Sequence, residues 1–241
     1  MNYKTEFRDA DALNLAAASF FVSQSHAALD RSGNFCVVLS GGTTPRGLFR
    51  LLATDKFWRA VPWDRTHVFW ADERMVAPDH EWSNFRMAHE LLLSKVPIPE
   101  NNIHRIHGEN GAKDAAREYR QELDSLFGTE AMPEMDLDLL GIGTDGHVAS
   151  LFAGSPALNS NETIEPVIIS PAMDTPTPAV DRVTMTLPCL NAARTVLFLV
   201  TGTDKAKALK EVSENKESIP AARIRAGQTL WYVDQAACPK R

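Results

Sequence analysis

The segment GIGTDGH, residues 141–147, sets an aspartate and a histidine two positions apart at the end of an apolar run. Imidazole has an unperturbed pKa of about 6.5, so His147 can take a proton from water at neutral pH, and Asp145 is near enough to orient its ring or the loop. The same residues also suit a helix start held by a structural hydrogen bond. A second segment, SGGTTP (40–45), has other chemistry. Gly41 and Gly42 let the backbone approach a ligand, and Ser40, Thr43 and Thr44 add hydroxyl donors. A helix opened by Pro45 would offer free N–H groups to an anion. The segment reads as a phosphate cradle or as a tight turn with a helix cap; it lacks the GxxxxGK[ST] spacing of a nucleotide P-loop. Three cations stand beside extended runs: Arg74 in ADER (71–74), Arg182 before TMTLP, and Lys205 after TGTD. A guanidinium grips phosphate with two parallel hydrogen bonds and an ammonium acts as a point charge, although each is equally at home as a solvated surface charge. Asp72 adds a carboxylate to the ADER segment.

Elements that could hold these groups follow from periodicity. Residues 9–31 carry Leu13, Ala16, Ala17, Phe20 and Phe21 at helical spacing, and Gly33 stops the helix. Residues 35–39 form a short continuous apolar run, as in a strand covered on both faces. Pro45 opens the next helix at its first turn. The alternation continues with strands at 66–71, ending in DER, 137–142, 195–200 and 229–233, and helices at 85–96, 114–127 and 204–214, with Ser83 and Asn84 as cap candidates. Residues 163–169 and 183–187 look extended around a proline-containing stretch at 171–178. This predicts an α/β fold: a mostly parallel, Rossmann-like sheet with helices on both faces and a small extra β region. No repeat or linker divides residues 1–241, so a single domain is expected. Ligands of open α/β sheets bind outside the carboxyl ends of the strands. SGGTTP, ADER, GTDGH and TGTDK each follow an apolar strand, which predicts that four loops meet at one sheet edge.

Composition narrows the partners. The net charge of -6 repels phosphate backbones on average, so no nucleic-acid partner is expected. Three widely spaced cysteines, Cys36, Cys189 and Cys238, make neither a disulfide framework nor a zinc site. No apolar run is long enough to span a bilayer and no basic-then-apolar leader opens the chain, so a cytoplasmic protein is expected. Gly141, Gly143 and Gly146 have dinucleotide-fingerprint spacing, but a histidine follows and no acidic residue closes a next strand to take a ribose. No cofactor and no metal are expected.

Five stretches, LSGGTTPRGLFRLLA, WADERMVAPDHEWSNFRMA, LDLLGIGTDGHVASLFAGSPAL, RVTMTLPCLNAARTVLFLVTGTDKAKAL and PAARIRAGQTLWYVDQAA, together resemble the 6-phosphogluconolactonase family. That family shares its fold with glucosamine-6-phosphate deaminases and ribose-5-phosphate isomerases. The resemblance implies hydrolysis of 6-phospho-D-glucono-1,5-lactone to 6-phospho-D-gluconate in the oxidative pentose phosphate pathway. It implies His147 as general base, Arg182 and Lys205 as phosphate binders, the SGGTTP loop in the same pocket, and Arg74 near the substrate. The expected partner is therefore a small phosphorylated sugar lactone, bound by a monomer or weak homo-oligomer. Ala153 replaces the proline usual after SLF, which touches loop stiffness rather than chemistry. The deaminase alternative needs a glutamate in a DGHxxxNE pattern; here Phe152 stands in its place. A sugar-phosphate sensor would need a DNA-binding module, and the residues before the first apolar strand offer one helix and no basic surface.

Overall fold

The computed structural model describes residues 4–169 and 178–238, so most of the proline-containing stretch at 171–178 lies outside the described residues. In chain order the elements are β1 (Lys4–Phe7), α1 (Ala10–Ser32), β2 (Phe35–Leu39), α2 (Pro45–Leu52), α3 (Asp55–Trp58), β3 (Thr66–Trp70), β4 (Asp72–Arg74), α4 (Asn84–Leu91), α5 (Ala112–Phe127), β5 (Leu137–Leu140), β6 (Ile164–Val167), β7 (Arg182–Met185), α6 (Leu187–Asn191), β8 (Thr195–Val200), α7 (Ala206–Ser213) and β9 (Gln228–Asp234).

Six strands form a wholly parallel sheet in the order β1-β9-β8-β5-β2-β3. Every residue of β5 and β8 is buried. Successive side chains point to opposite faces, so both faces of the sheet centre are covered, as the apolar runs required. The expected α/β class is the one observed. The chain steps outward from β2 to β3, and then places β5 on the other side of β2. That reversal opens a crevice at the carboxyl ends of β2 and β5, where SGGTTP and GTDGH leave the sheet.

The small extra β region is a three-stranded antiparallel sheet, β4-β7-β6. It corrects one expectation: DER is not a loop at the end of β3 but the strand β4, paired with β7 so that Asp72 faces Thr184 and Arg74 faces Arg182. Arg182 likewise begins a strand. Ala71 alone separates the two sheets. Its N–H donates to the Leu39 carbonyl at 2.9 Å, and its own carbonyl accepts from the Met185 N–H at 2.7 Å. The helix expected at 85–96 ends at Leu91, because Leu92 leaves helical geometry and a short 3-10 turn follows before the extended Val96. The helix expected at 204–214 begins with a 3-10 turn at Thr203–Lys205. β1 was not expected: it is a largely exposed edge strand whose polar residues carry no periodic signal.

One core residue breaks the apolar pattern. Asp138 lies mid-sheet on β5, fully buried, and neither carboxylate oxygen has a hydrogen-bond partner among the described residues. Burial drives its pKa well above the ordinary carboxylate value. The folded state therefore keeps a proton that the unfolded chain releases near pH ~4, and stability falls as pH rises above that. Asp138→Val should raise the melting temperature, by roughly 1–3 kcal/mol of stability, through loss of an unsatisfied polar group. The gain should be larger at about pH 8 than at about pH 5.5. Thermal melts at the two pH values check this; a gain that is absent or independent of pH would contradict it.

Candidate active site

A cavity of about 700 Å³ opens at the carboxyl edge of the large sheet. Every residue singled out from sequence lines it: Ser40, Gly41, Gly42, Thr43, Thr44, Asp72, Arg74, Asp145, His147, Arg182 and Lys205. The large sheet contributes the loops after β2, β5 and β8, and the small sheet contributes Asp72, Arg74 and Arg182.

The loop after β5 builds a hydrogen-bonded acid–imidazole pair. Asp145 Oδ1 lies 2.6 Å from His147 Nδ1 and accepts from the His147 backbone N–H at 3.2 Å. An ionised Asp145 places the ring proton on Nδ1 and leaves the Nε2 lone pair free to accept. Burial pushes the Asp145 carboxyl up, but the hydrogen bond to His147 and its charge outweigh that and hold it at about 2. The loop can turn this tightly because residue 143 is glycine: a Cβ there would overlap both the His147 ring and the Asp145 carboxylate. Ala149, also on the cavity wall, adopts a left-handed φ of 50°. Such a residue costs roughly 1–3 kcal/mol of strain. Its neighbour anchors it: the Ser150 N–H donates to Thr184 Oγ1 at 3.1 Å, and Ser150 Oγ donates to Asp72 Oδ2 at 2.6 Å.

The cations are placed differently from one another. Arg182 is 97% buried; Nη2 donates to the Pro178 carbonyl at 3.1 Å, and Nη1 lies 3.9 Å from Asp72 Oδ2. Burial lowers its pKa, and Asp72 acts in the opposite direction. Arg74 Nη1 donates to the Trp82 carbonyl at 2.7 Å. Lys205 pairs with Asp204 at 3.1 Å. Within three of the side chains that line the cavity, the buried atoms Ser40 Oγ, Arg74 Nε and Arg182 Nε have no hydrogen-bond partner among the described residues. Arg74, Arg182 and Lys205 all line the cavity, so its wall carries three cationic side chains, a charge that suits an anionic ligand. Thr44 makes no side-chain cap on α2; its hydroxyl instead meets Thr201 Oγ1 at 3.1 Å, tying the first loop to the one after β8.

Phe152 lies beside both His147 and Arg182. Its ring centroid lies 4.7 Å from that of His147 and 5.6 Å from the Arg182 guanidinium carbon. A phenyl ring has no proton to relay. A second cavity, of about 440 Å³, lies at the amino edge of the sheet beside Cys36 and His67. Its arginines are occupied, Arg31 with Asp136 and Arg194 with Glu134. Burial, with the Asp136 charge, pushes the Cys36 thiol up to about 12, far from a thiolate. The acid–imidazole pair and the cations Arg74, Arg182 and Lys205 line the other cavity, at the carboxyl edge.

A family model described as glucosamine-6-phosphate isomerases/6-phosphogluconolactonase matches residues 8–231. The chain belongs to this family. A 6-phosphogluconolactonase of Synechocystis is 41% identical over 219 residues, covering 87% of this chain and 86% of the relative. The 6-phosphogluconolactonase of Rattus norvegicus is 37% identical over 240 residues, covering 96% and 90%. The crystal structure of 6-phosphogluconolactonase from Thermotoga maritima superposes with a TM-score of 0.83 at 32% identity, covering 97% of this chain and 99% of that one. Glu73 and Ser150 carry no signal in the sequence that places them at the site, and Asn84 and Gly143, legible there only as a cap candidate and a turn glycine, join it through contacts the sequence does not show. The SN pair opening α4 and the serine inside ASLF were visible, but nothing local to them shows that Ser83 bonds Glu73 or that Asn84 and Ser150 bond Asp72.

Proposed function

We propose that the chain hydrolyses 6-phospho-D-glucono-1,5-lactone to 6-phospho-D-gluconate, with His147 as general base. The observation that carries this reading is the joint presence, in one cavity, of a carboxylate-oriented imidazole and three cationic side chains, Arg74, Arg182 and Lys205. A cyclic ester is already activated, so one base and one water suffice. His147 Nε2 takes a proton from water as the water oxygen bonds to the ring carbonyl carbon. Loop N–H groups and Arg74 are at hand for the oxyanion. When it collapses, the bond from that carbon to the ring oxygen breaks, and protonated His147 returns its proton to the departing oxygen. Asp145 holds the ring throughout. Arg182, Lys205 and the SGGTTP loop take the phosphate, whose binding positions the distant carbonyl. Asp72 accepts from sugar hydroxyls.

This reading treats residues 1–241 as one lactonase unit, since both sheets supply cavity residues. It includes cytoplasmic residence, a monomer or weak homo-oligomer, and no nucleic-acid partner. Among the described residues no helix is long and apolar enough to cross a membrane, and no group of three or more His, Cys, Asp or Glu is gathered to hold a metal ion.

The test offers two substrates. With 6-phosphogluconolactone, acid should form faster than the spontaneous rate. With glucosamine 6-phosphate, no ammonia should appear, because ring opening of the amino sugar needs an acid–base pair that Phe152 interrupts. Ammonia release without lactone hydrolysis above background would overturn the reading.

A further inference from the structure

Glu73 is 97% buried between the cavity and α4, and it accepts four hydrogen bonds. Two come from the first N–H groups of α4, those of Asn84 and Phe85, each at 2.8 Å; the others come from Ser83 Oγ at 3.0 Å and the Arg74 N–H at 2.8 Å. A strand carboxylate thus caps a helix from outside it and fixes where that helix begins. The residue so fixed is Asn84, 98% buried. Its Nδ2 donates to the Asp72 carbonyl at 2.9 Å and to Asp72 Oδ1 at 3.2 Å. Its carboxamide also lies directly against Gly41, where an added Cβ would overlap it. One amide therefore touches both the glycine loop and the carboxylate across the cavity from it.

We propose that Asn84 is a positioning residue for the reaction: its carboxamide registers the Asp72 carboxylate against the SGGTTP loop, so that the acceptor for sugar hydroxyls and the cradle for phosphate keep a fixed separation. The inference rests on the lactonase reading. The fixed groups do not touch the reacting carbon through Asn84; they set where it lies. Among the described residues, the charged groups beside Asp72 are Arg182 from β7 at 3.9 Å and its own strand neighbours Glu73 and Arg74; Ser150 Oγ and Asn84 Nδ2 are its uncharged partners. Oδ1 has no other hydrogen-bond donor among the described residues.

Asn84→Asp keeps the shape and removes the obligatory donor. Two carboxyls at this spacing share a proton. While that proton is held, the introduced carboxyl donates as the amide did; when it leaves, repulsion displaces Asp72. The ratio of kcat/KM in the variant to that in the original chain should fall about tenfold between pH ~5.5 and ~8. Asn84→Ala should lose about tenfold at every pH, since it never has a donor. Melting temperatures taken at the same pH values separate this from unfolding, because a purely structural Asn84 would give a flat activity ratio. The second arm is a cycle with Gly41→Ala. That change should be harmful alone and lose most of its effect in an Asn84→Ala background, where the overlap is gone. A flat ratio for Asn84→Asp, or additive losses in the cycle, in a chain that does hydrolyse the lactone overturns the role of Asn84. No lactone hydrolysis by the unaltered chain overturns the functional reading instead.

Discussion

His147→Ala is expected to lower kcat on 6-phosphogluconolactone by roughly a hundredfold or more, within the 10²–10⁴ that a positioned general base contributes. The geometry says why the loss should be chemical. Nδ1 is engaged by Asp145 at 2.6 Å, so Nε2 is the nitrogen that can meet water. Asp145, held at about 2, stays ionised at any pH suited to an assay, and the ring keeps its tautomer. The fold should survive: the His147 side chain is 29% exposed, and its ring packs on Phe152, which is itself buried by other residues. Acid release measured against the spontaneous rate, together with a thermal melt, decides the matter. Activity close to that of the unaltered chain would remove His147 from the mechanism. Unfolding would be read as a packing role for the ring.

Replacing the cations should act on binding. Arg182→Met or Lys205→Met deletes a charge-assisted hydrogen bond worth roughly 1.5–3 kcal/mol, so the Kd for 6-phosphogluconate should rise by about ten- to 150-fold. An unphosphorylated gluconolactone never used that contact and should lose far less. Arg182 has a second effect that Lys205 lacks. Its guanidinium lies 3.9 Å from Asp72, and without it a buried carboxylate loses its ion-pair partner. Part of the Arg182→Met loss should therefore appear with both substrates, and only the excess on the phosphorylated one reports phosphate binding. Lys205, paired with exposed Asp204, should show the phosphate effect more cleanly. Equal losses on both substrates in both variants would place these cations in the fold or in the chemistry instead.

The sequence showed the parallel sheet and the convergence of its loops because both are written locally. An apolar run buried on both faces, followed by glycine and hydroxyl residues, has few other readings; β2 with SGGTTP and β5 with GTDGH are the clearest cases. What stayed hidden depends on partners far along the chain. DER is a strand only because β7, more than a hundred residues later, pairs with it. The exposed KTEF is a strand only because β9 offers an edge. Glu73 looks like any surface glutamate until α4 is docked on it, and Asn84 looks like a spare cap residue until Asp72 and Gly41 are brought beside it. Lining the cavity was legible; the scaffolding behind it was not.

Ala71 donates to one sheet and accepts from the other within a single residue. The two walls of the cavity are therefore not two bodies joined by a hinge. Opening them would break backbone bonds to Leu39 and Met185 together, and a residue so held cannot absorb the large φ and ψ changes that domain closure demands. Substrate should thus enter a vessel already at its working width. Free and ligand-filled crystals should superpose in the backbone around β3, β4 and β7, with adjustment confined to side chains. Specificity would then come from fit between two sheets held at a fixed distance, and turnover would not wait on those sheets closing.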